Sequence, residues 1–180
     1  MVTAAERSER RAERTEHARH IASSVPDPEL PMLTLSDLGV LRGIEVEPDG
    51  TVVARLTPTY SGCPAMAEMR AEVATRLRAA GFPAVRVVTV LDPPWTTDRI
   101  TDEGRRKLTE HGIAPPGPPR IPDSAPGPVW LTLASAPAAV PCPRCASADT
   151  EEISRFAATA CTALRRCHAC LEPFEHVKDL

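Results

Sequence analysis

The sequence predicts an α+β fold with a small metal-stapled module at its C-terminal end. Three observations predict it. Hydrophobic periodicity alternates between that of strands and that of helices over residues 25–112. A proline-rich run then occupies 114–128, and four cysteines in two Cys-x-x-Cys pairs follow. The resulting division is a charged N-terminal tail over 1–24, an α+β domain over 25–112, a proline-rich linker and bridging segment over 113–140, and a ribbon module over 141–180. Composition agrees with one domain and an appendage. The 180 residues are 42% hydrophobic and 25% charged, which is globular usage. Aromatics at 3% and 20 prolines against 9 glycines point to a small core flanked by extended chain.

Residues 1–20 mix Arg with Glu6, Glu9, Glu13 and Glu16, which reads as a solvated tail. Its i,i+4 charge pairs support a helix that Ala18, Ile21, Ala22 and Val25 pin to the domain and that stops before Pro26. Val40, Ile44 and Val46 mark a strand ending at Glu47-Pro48-Asp49-Gly50, a turn sequence, and Thr51–Thr57 resumes with β-branched residues, so a hairpin is predicted. Over 64–80 the period changes: Met66, Met69, Val73, Leu77 and Ala80 share one helical stripe. Pro64 suits the first helical position and Gly81 the stop. Val85–Leu91, nearly continuous in apolar character, reads as a central strand, and 97–111 as a last helix stopped by Gly112. The order helix–strand–strand–helix–strand–helix is a compact α+β domain. The run Ala114–Pro128 holds seven prolines and two glycines and reads as a semi-rigid linker, followed by a bridging segment to Val140.

The net charge of −3 gives no general attraction to nucleic acid or anionic membranes. The N-terminal residues lack the apolar stretch of a signal peptide, and no segment has the apolar length of a membrane helix. A cytoplasmic location is therefore expected. Six cysteines without a secretory signal then point to metal or thiol chemistry, not disulfides.

Cys142-Pro-Arg-Cys145 and Cys167-His-Ala-Cys170 are two tight turns, each presenting two thiolates. Together they form a tetrahedral four-sulfur cage, with 150–156 and 159–166 as antiparallel strands of a ribbon. Four filled positions make a closed structural site and favour zinc over a single iron. Cys161 reads as a small core residue and His168 as solvent-facing. The module carries five Lys/Arg against six Asp/Glu, so it has no basic footprint for nucleic acid.

Cys63 lies in Thr57-Pro-Thr-Tyr-Ser-Gly-Cys-Pro64, between a strand end and a helix start. A helix N-terminus favours thiolate, which leaves three active roles open (nucleophile, metal ligand, transient cluster ligand) beside an inert one. No histidine nearby in the sequence is available as a base. Asp27-Pro-Glu29 and Asp92-Pro-Pro-Trp95 are acidic-proline turns whose default role is capping.

The segments Asp27-Pro-Glu-Leu-Pro31, Ser36-Asp-Leu-Gly-Val40, the Cys63 loop and Asp92-Pro-Pro-Trp95 resemble the iron–sulfur-cluster assembly domain family. With the ribbon added, through Ser154-Arg-Phe156, Thr159–Leu164 and Glu172-Pro-Phe174, residues 25–180 resemble the D-subunit family of phenylacetyl-CoA 1,2-epoxidases. The chain departs at Val177-Lys-Asp179, where that family often carries Phe-Lys-Cys, so no role of a terminal cysteine is carried over.

The resemblance implies a small α/β sandwich of the iron–sulfur assembly type. It also implies a non-catalytic accessory subunit that helps to assemble or maintain a metal or iron–sulfur centre in a diiron oxygenase or a reductase partner. Cys63 is then a candidate transient metal or cluster ligand, with Asp27 and Glu29 beside it, and iron or an iron–sulfur cluster is a transient cargo. The residues agree on one point. The chain lacks the paired Glu-x-x-His motifs of a diiron site and a GxGxxG fingerprint, so oxygen chemistry is expected on a partner. A general cluster-assembly factor with several clients is the alternative.

Overall fold

The computed structural model describes residues 3–60, 62–117 and 139–178. They form two compact units that divide after Leu108. The sequence-predicted linker and bridging segment lie outside the described residues except at 113–117 and 139–140.

In the first unit, α1 (Ala4–Ser23) begins at a capping box. The Thr3 hydroxyl accepts from the Glu6 amide while the Glu6 carboxylate accepts from the Thr3 amide. Its length follows from Ala, Glu and Arg, all good helix formers, and Pro26 bars continuation. The end of the helix is pinned at positions the sequence points to: Val25 is fully buried and Ile21 half-buried. Ala18 and Ala22, one turn apart, are fully buried, and their small side chains let α1 approach the β-sheet and the second helix closely. Phe82 is held by the same helix: His17 meets it edge-on, and the Arg14 guanidinium lies 5.2 Å over its ring.

Strand β1 (Leu41–Val46) and β2 (Val52–Leu56) pair antiparallel across the predicted turn, where Gly50 adopts φ +89° and the Asp49 carboxylate accepts from the Thr51 amide. Helix α2 (Met66–Ala79) buries Met69, Val73, Ala74 and Leu77. It ends in a Schellman motif, with the amides of Gly81 and Phe82 donating to the carbonyls of Arg78 and Leu77. The helix crosses to β3 (Val85–Thr89), which pairs parallel with β2. The order β1-β2-β3 corrects the prediction of a central strand at 85–91: β2 is central. Val52, Val53, Ala54 and Leu56 are buried on both faces of β2, whereas β3 leaves Arg86 and Thr89 exposed. The predicted helix over 97–111 is broken into a 3-10 turn (Thr97–Arg99) and α3 (Asp102–Glu110), because Thr101 turns its hydroxyl to the Gly104 amide and starts a new helix.

Residues Ser36–Val40 join these parts. Asp37 accepts from the Thr34 amide and from Lys107 Nζ at 2.8 Å, and its carbonyl accepts from the Thr101 amide. Leu38 supplies the carbonyl that Trp95 Nε1 donates to. Partial removal from water would raise the Asp37 pKa, but Lys107 and Thr34 outweigh it and hold the carboxyl below the usual aspartate range. A depressed folded pKa gives stability that is complete above the unfolded value of about 3.9 and lost as pH falls through the folded value. Lys107→Met is therefore expected to cost about 2 kcal/mol near neutrality. In urea titrations across pH, the gap between variant and parent should close as pH falls below the ordinary aspartate value of about 3.9 and through the lower folded one. A gap unchanged at low pH would remove the ion pair as its cause.

The second unit is a four-stranded sheet in the order β4-β7-β6-β5. Strand β5 (Thr150–Ser154) and β6 (Thr162–Cys167) form the predicted antiparallel pair. Two further strands were not predicted: β7 (Pro173–Val177), antiparallel to β6, and β4 (Ile113–Ala114), parallel to β7. Residues 113–114, assigned to the linker from sequence, are thus part of this sheet, with Ala114 only 1% exposed. Its apolar cluster is small: Ala114, Val140, Cys142, Cys167 and Phe174, with Cys170 against it.

Candidate metal centre

Two of the five residues in that cluster are cysteines, and the turns they belong to converge. Cys142 opens a turn in which its carbonyl accepts from the Ala146 amide, and Ala146 takes a positive φ of 60° to close it. Cys167 ends β6 and donates its amide to the Glu172 carbonyl, folding the second turn back. The sulfur atoms of Cys142, Cys145, Cys167 and Cys170 all lie within 4.8 Å of one another. Cys142 and Cys170 Sγ are 3.7 Å apart, and Cys145 and Cys167 Sγ 3.5 Å. A tetrahedral zinc with Zn–S of about 2.3 Å has sulfur–sulfur edges of about 3.8 Å, so the four donors fit one zinc ion.

The four neighbouring thiols oppose one another's ionisation, so that Cys167 is lowered while Cys145 and Cys170 are raised. The Cys170 amide, then the Ala169 amide, draw the Cys167 thiol down to about 6 against the opposing effect of burial. At Cys145 the Ser147 amide lowers the value, but the neighbouring thiols and burial override it and push it up to about 12. Four thiols this close cannot all ionise without a cation between them, and a metal is what makes four thiolates compatible. His168 is exposed beside Glu151, as predicted. Cys161 stands apart from the cage, half-buried, with its sulfur 3.0 Å from the Thr159 hydroxyl.

The second candidate set is not gathered in the same way. Among the described residues, the ribbon cysteines are the group that brings at least three potential metal donors together; Cys63, Asp27 and Glu29 do not form such a group. Cys63 is half-buried in a turn, its carbonyl accepting from the Met66 amide. The helix begins at Met66, not at Pro64, so Cys63 precedes it by a turn. Thr57, at the strand end that leads into this loop, buries a hydroxyl that has no hydrogen-bond partner among the described residues.

Asp27 is buried and accepts at one oxygen from the amides of Glu29 and Leu30, which closes the Asp27-Pro-Glu turn. Burial raises its pKa, partly offset by those amides, and Glu68 adds to the rise. Glu29 is raised too, by burial and by the charge of Asp27. Asp92 lies beside a cis bond to Pro93 and caps no helix.

Comparison with known proteins places these two regions. Residues 21–91 match the family of iron–sulfur cluster assembly proteins, and residues 127–178 match the PaaD zinc beta ribbon domain. Over 158 residues, 88% of each chain, the sequence is 43% identical to an Escherichia coli (strain K12) protein, the D subunit of a "Putative 1,2-phenylacetyl-CoA epoxidase". The chain belongs to the D-subunit family of phenylacetyl-CoA epoxidases. A second relative, the Fe-S protein maturation auxiliary factor of Porphyromonas gingivalis, is 29% identical over 86 residues, 47% of this chain and 81% of that one. The DUF59 domain of Bacillus anthracis shares the fold of the assembly-type domain, with a TM-score of 0.52 at 21% identity over 56% of this chain and 96% of that one. This D-subunit chain thus joins an assembly-type α+β domain to a ribbon bearing the four-cysteine cluster. Among the described residues no helix is long and apolar enough to cross a membrane.

Proposed function

We propose that the chain is a non-catalytic accessory subunit of the phenylacetyl-CoA epoxidase system of aerobic phenylacetate degradation. It assists assembly or maintenance of a metal or iron–sulfur centre in partner subunits, the diiron oxygenase or the reductase. One observation carries this reading: an assembly-type region and a zinc ribbon occur together in a chain 43% identical to an epoxidase D subunit over 88% of its length.

The two regions divide the work. Cys142, Cys145, Cys167 and Cys170 hold one zinc ion, and a closed four-sulfur site leaves no open position for chemistry, so its role is structural. Cys63 offers a single soft donor from a half-buried turn. One thiolate binds a soft metal reversibly, which suits handing over a cargo and not retaining it. Asp27 and Glu29 are the carboxylates of this reading, and burial raises the pKa of both. Iron or an iron–sulfur cluster is the cargo, and the protein acts in the cytoplasm without nucleic acid or membrane.

Cys63→Ala tests it. Fold and zinc content should stay at parental levels, because Cys63 lies outside the cage. In cells lacking the native subunit, the variant should fail to restore growth on phenylacetate. Restored growth with fully metallated partners would make Cys63 a packing residue and leave the subunit to act through its surface.

A second reading, a maturation factor with several clients, is favoured by the likeness of the first domain to the Porphyromonas gingivalis factor. It predicts that loss of the chain also lowers iron–sulfur enzymes unrelated to phenylacetate.

A further inference from the structure

The N-terminal half of α1 adds nothing to the core: every described side chain from residue 5 to 14 is exposed. It nevertheless stands against the β1–β2 turn across a cleft of about 500 Å³. Arg7, Arg10, Arg11 and Arg14 line one side of this cleft, and the turn Val46–Gly50 lines the other. The four arginines fall at i, i+3, i+4 and i+7, so helical periodicity places them on one face. Glu9 and Glu13 project away from that face, and Glu6 is committed to the Thr3 cap.

The acids on the opposite wall are also committed. Glu47 pairs with Arg86 at 2.6 Å, and the Asp49 carboxylate accepts from the Thr51 amide. Among the described residues no carboxylate pairs with Arg10, Arg11 or Arg14; Arg14 is steadied on the Phe82 ring. A chain of net charge −3 thus concentrates cationic forks around one recess. Guanidinium groups bind phosphate oxygens two at a time, and a recess of this size suits a ligand larger than a lone phosphate.

We propose that this cleft binds a small-molecule polyphosphate, with the arginine face on the phosphates. Coenzyme A, whose adenosine end carries a diphosphate and a 3′-phosphate, and free ATP are two sources of that chemistry. The inference is independent of the accessory reading, since direct binding tests it without any partner subunit.

The test is calorimetric titration of the full zinc-loaded chain with coenzyme A, dephospho-coenzyme A, ATP and a glutamate-rich peptide. Saturable binding of coenzyme A or ATP is expected, weakened about tenfold or more in the double variant Arg10→Ala/Arg11→Ala. Circular dichroism and zinc content should be unchanged, because both side chains are exposed. Stronger binding of coenzyme A than of both its dephospho form and ATP assigns coenzyme A as the source, and equal or better binding of ATP assigns free nucleotide. No saturable binding of any nucleotide, binding that the double variant retains in full, or binding of the peptide alone would overturn the proposal.

Discussion

Replacing Cys167 by serine is expected to remove the metal and unfold residues 139–178 while leaving the first unit intact. Cys167 is fully buried, ends β6 and anchors the second turn through its amide to Glu172. The apolar cluster around it is too small to hold four short strands, and two of its five members are the cage cysteines themselves. A structural zinc in such a module is worth on the order of 10–16 kcal/mol, far more than the packing of Val140 and Phe174. Amide spectra of the full-length variant should show residues 139–178 collapsed to unfolded positions. Zinc should fall from about one per chain to near zero. Cys161→Ser is the matched control and should leave both readouts unchanged, since Cys161 is outside the cluster. Equal zinc in the Cys167 variant and the parent would sink the cage assignment.

The second large effect concerns the first unit. Gly39 holds φ +64°, and a Cβ there would lie 2.4 Å from the Arg99 carbonyl oxygen and 2.5 Å from Arg99 Cβ. Both the left-handed backbone and the backbone clash oppose any side chain. Gly39→Ala is expected to cost about 2–5 kcal/mol. The companion Gly81→Ala isolates the conformational part, because Gly81 has φ +90° with nothing within 4 Å of its added Cβ. It should cost about 1 kcal/mol. Urea unfolding of the two variants gives the comparison, and equal losses would show that the Arg99 approach is soft. The damage at Gly39 should spread to its neighbours. Asp37 and Leu38 hold Thr101 and the Trp95 indole through their carbonyls, so near-ultraviolet dichroism from Trp95 should fall with stability.

These two sites differ in how far the sequence exposed them. The ribbon cage was legible because two Cys-x-x-Cys turns state their own geometry locally. The Gly50 turn, the α2 stripe and its Gly81 stop were legible for the same reason: each depends on residues within a few positions. What escaped depends on distant partners. Strand β7 begins with Pro173 and interleaves Glu175 and His176, and the two-residue β4 has no periodicity to detect. Val85–Leu91 looked central because its run is apolar, but position in a sheet follows from pairing, and β2 has neighbours on both sides. Asp37 was visible only as part of a resemblance. Its work depends on Lys107, seventy positions away. Ala18 and Ala22 were legible as the pinned end of a charged helix, but the sheet and the second helix they pack on were not. At Cys63 the loop was identified but its placement was a turn off, because Pro64 leads into the helix without being its first residue.

The central claim is that this chain serves the metal centres of its partners, and iron content measures it most directly. The oxygenase and reductase subunits would be purified from cells carrying the parent chain, the Cys63→Ala chain or no chain, and iron counted per subunit. Full iron is predicted with the parent and a clear deficit in at least one partner in both other cases, with zinc in the Cys63→Ala chain unchanged. Equal iron in all three preparations would contradict it.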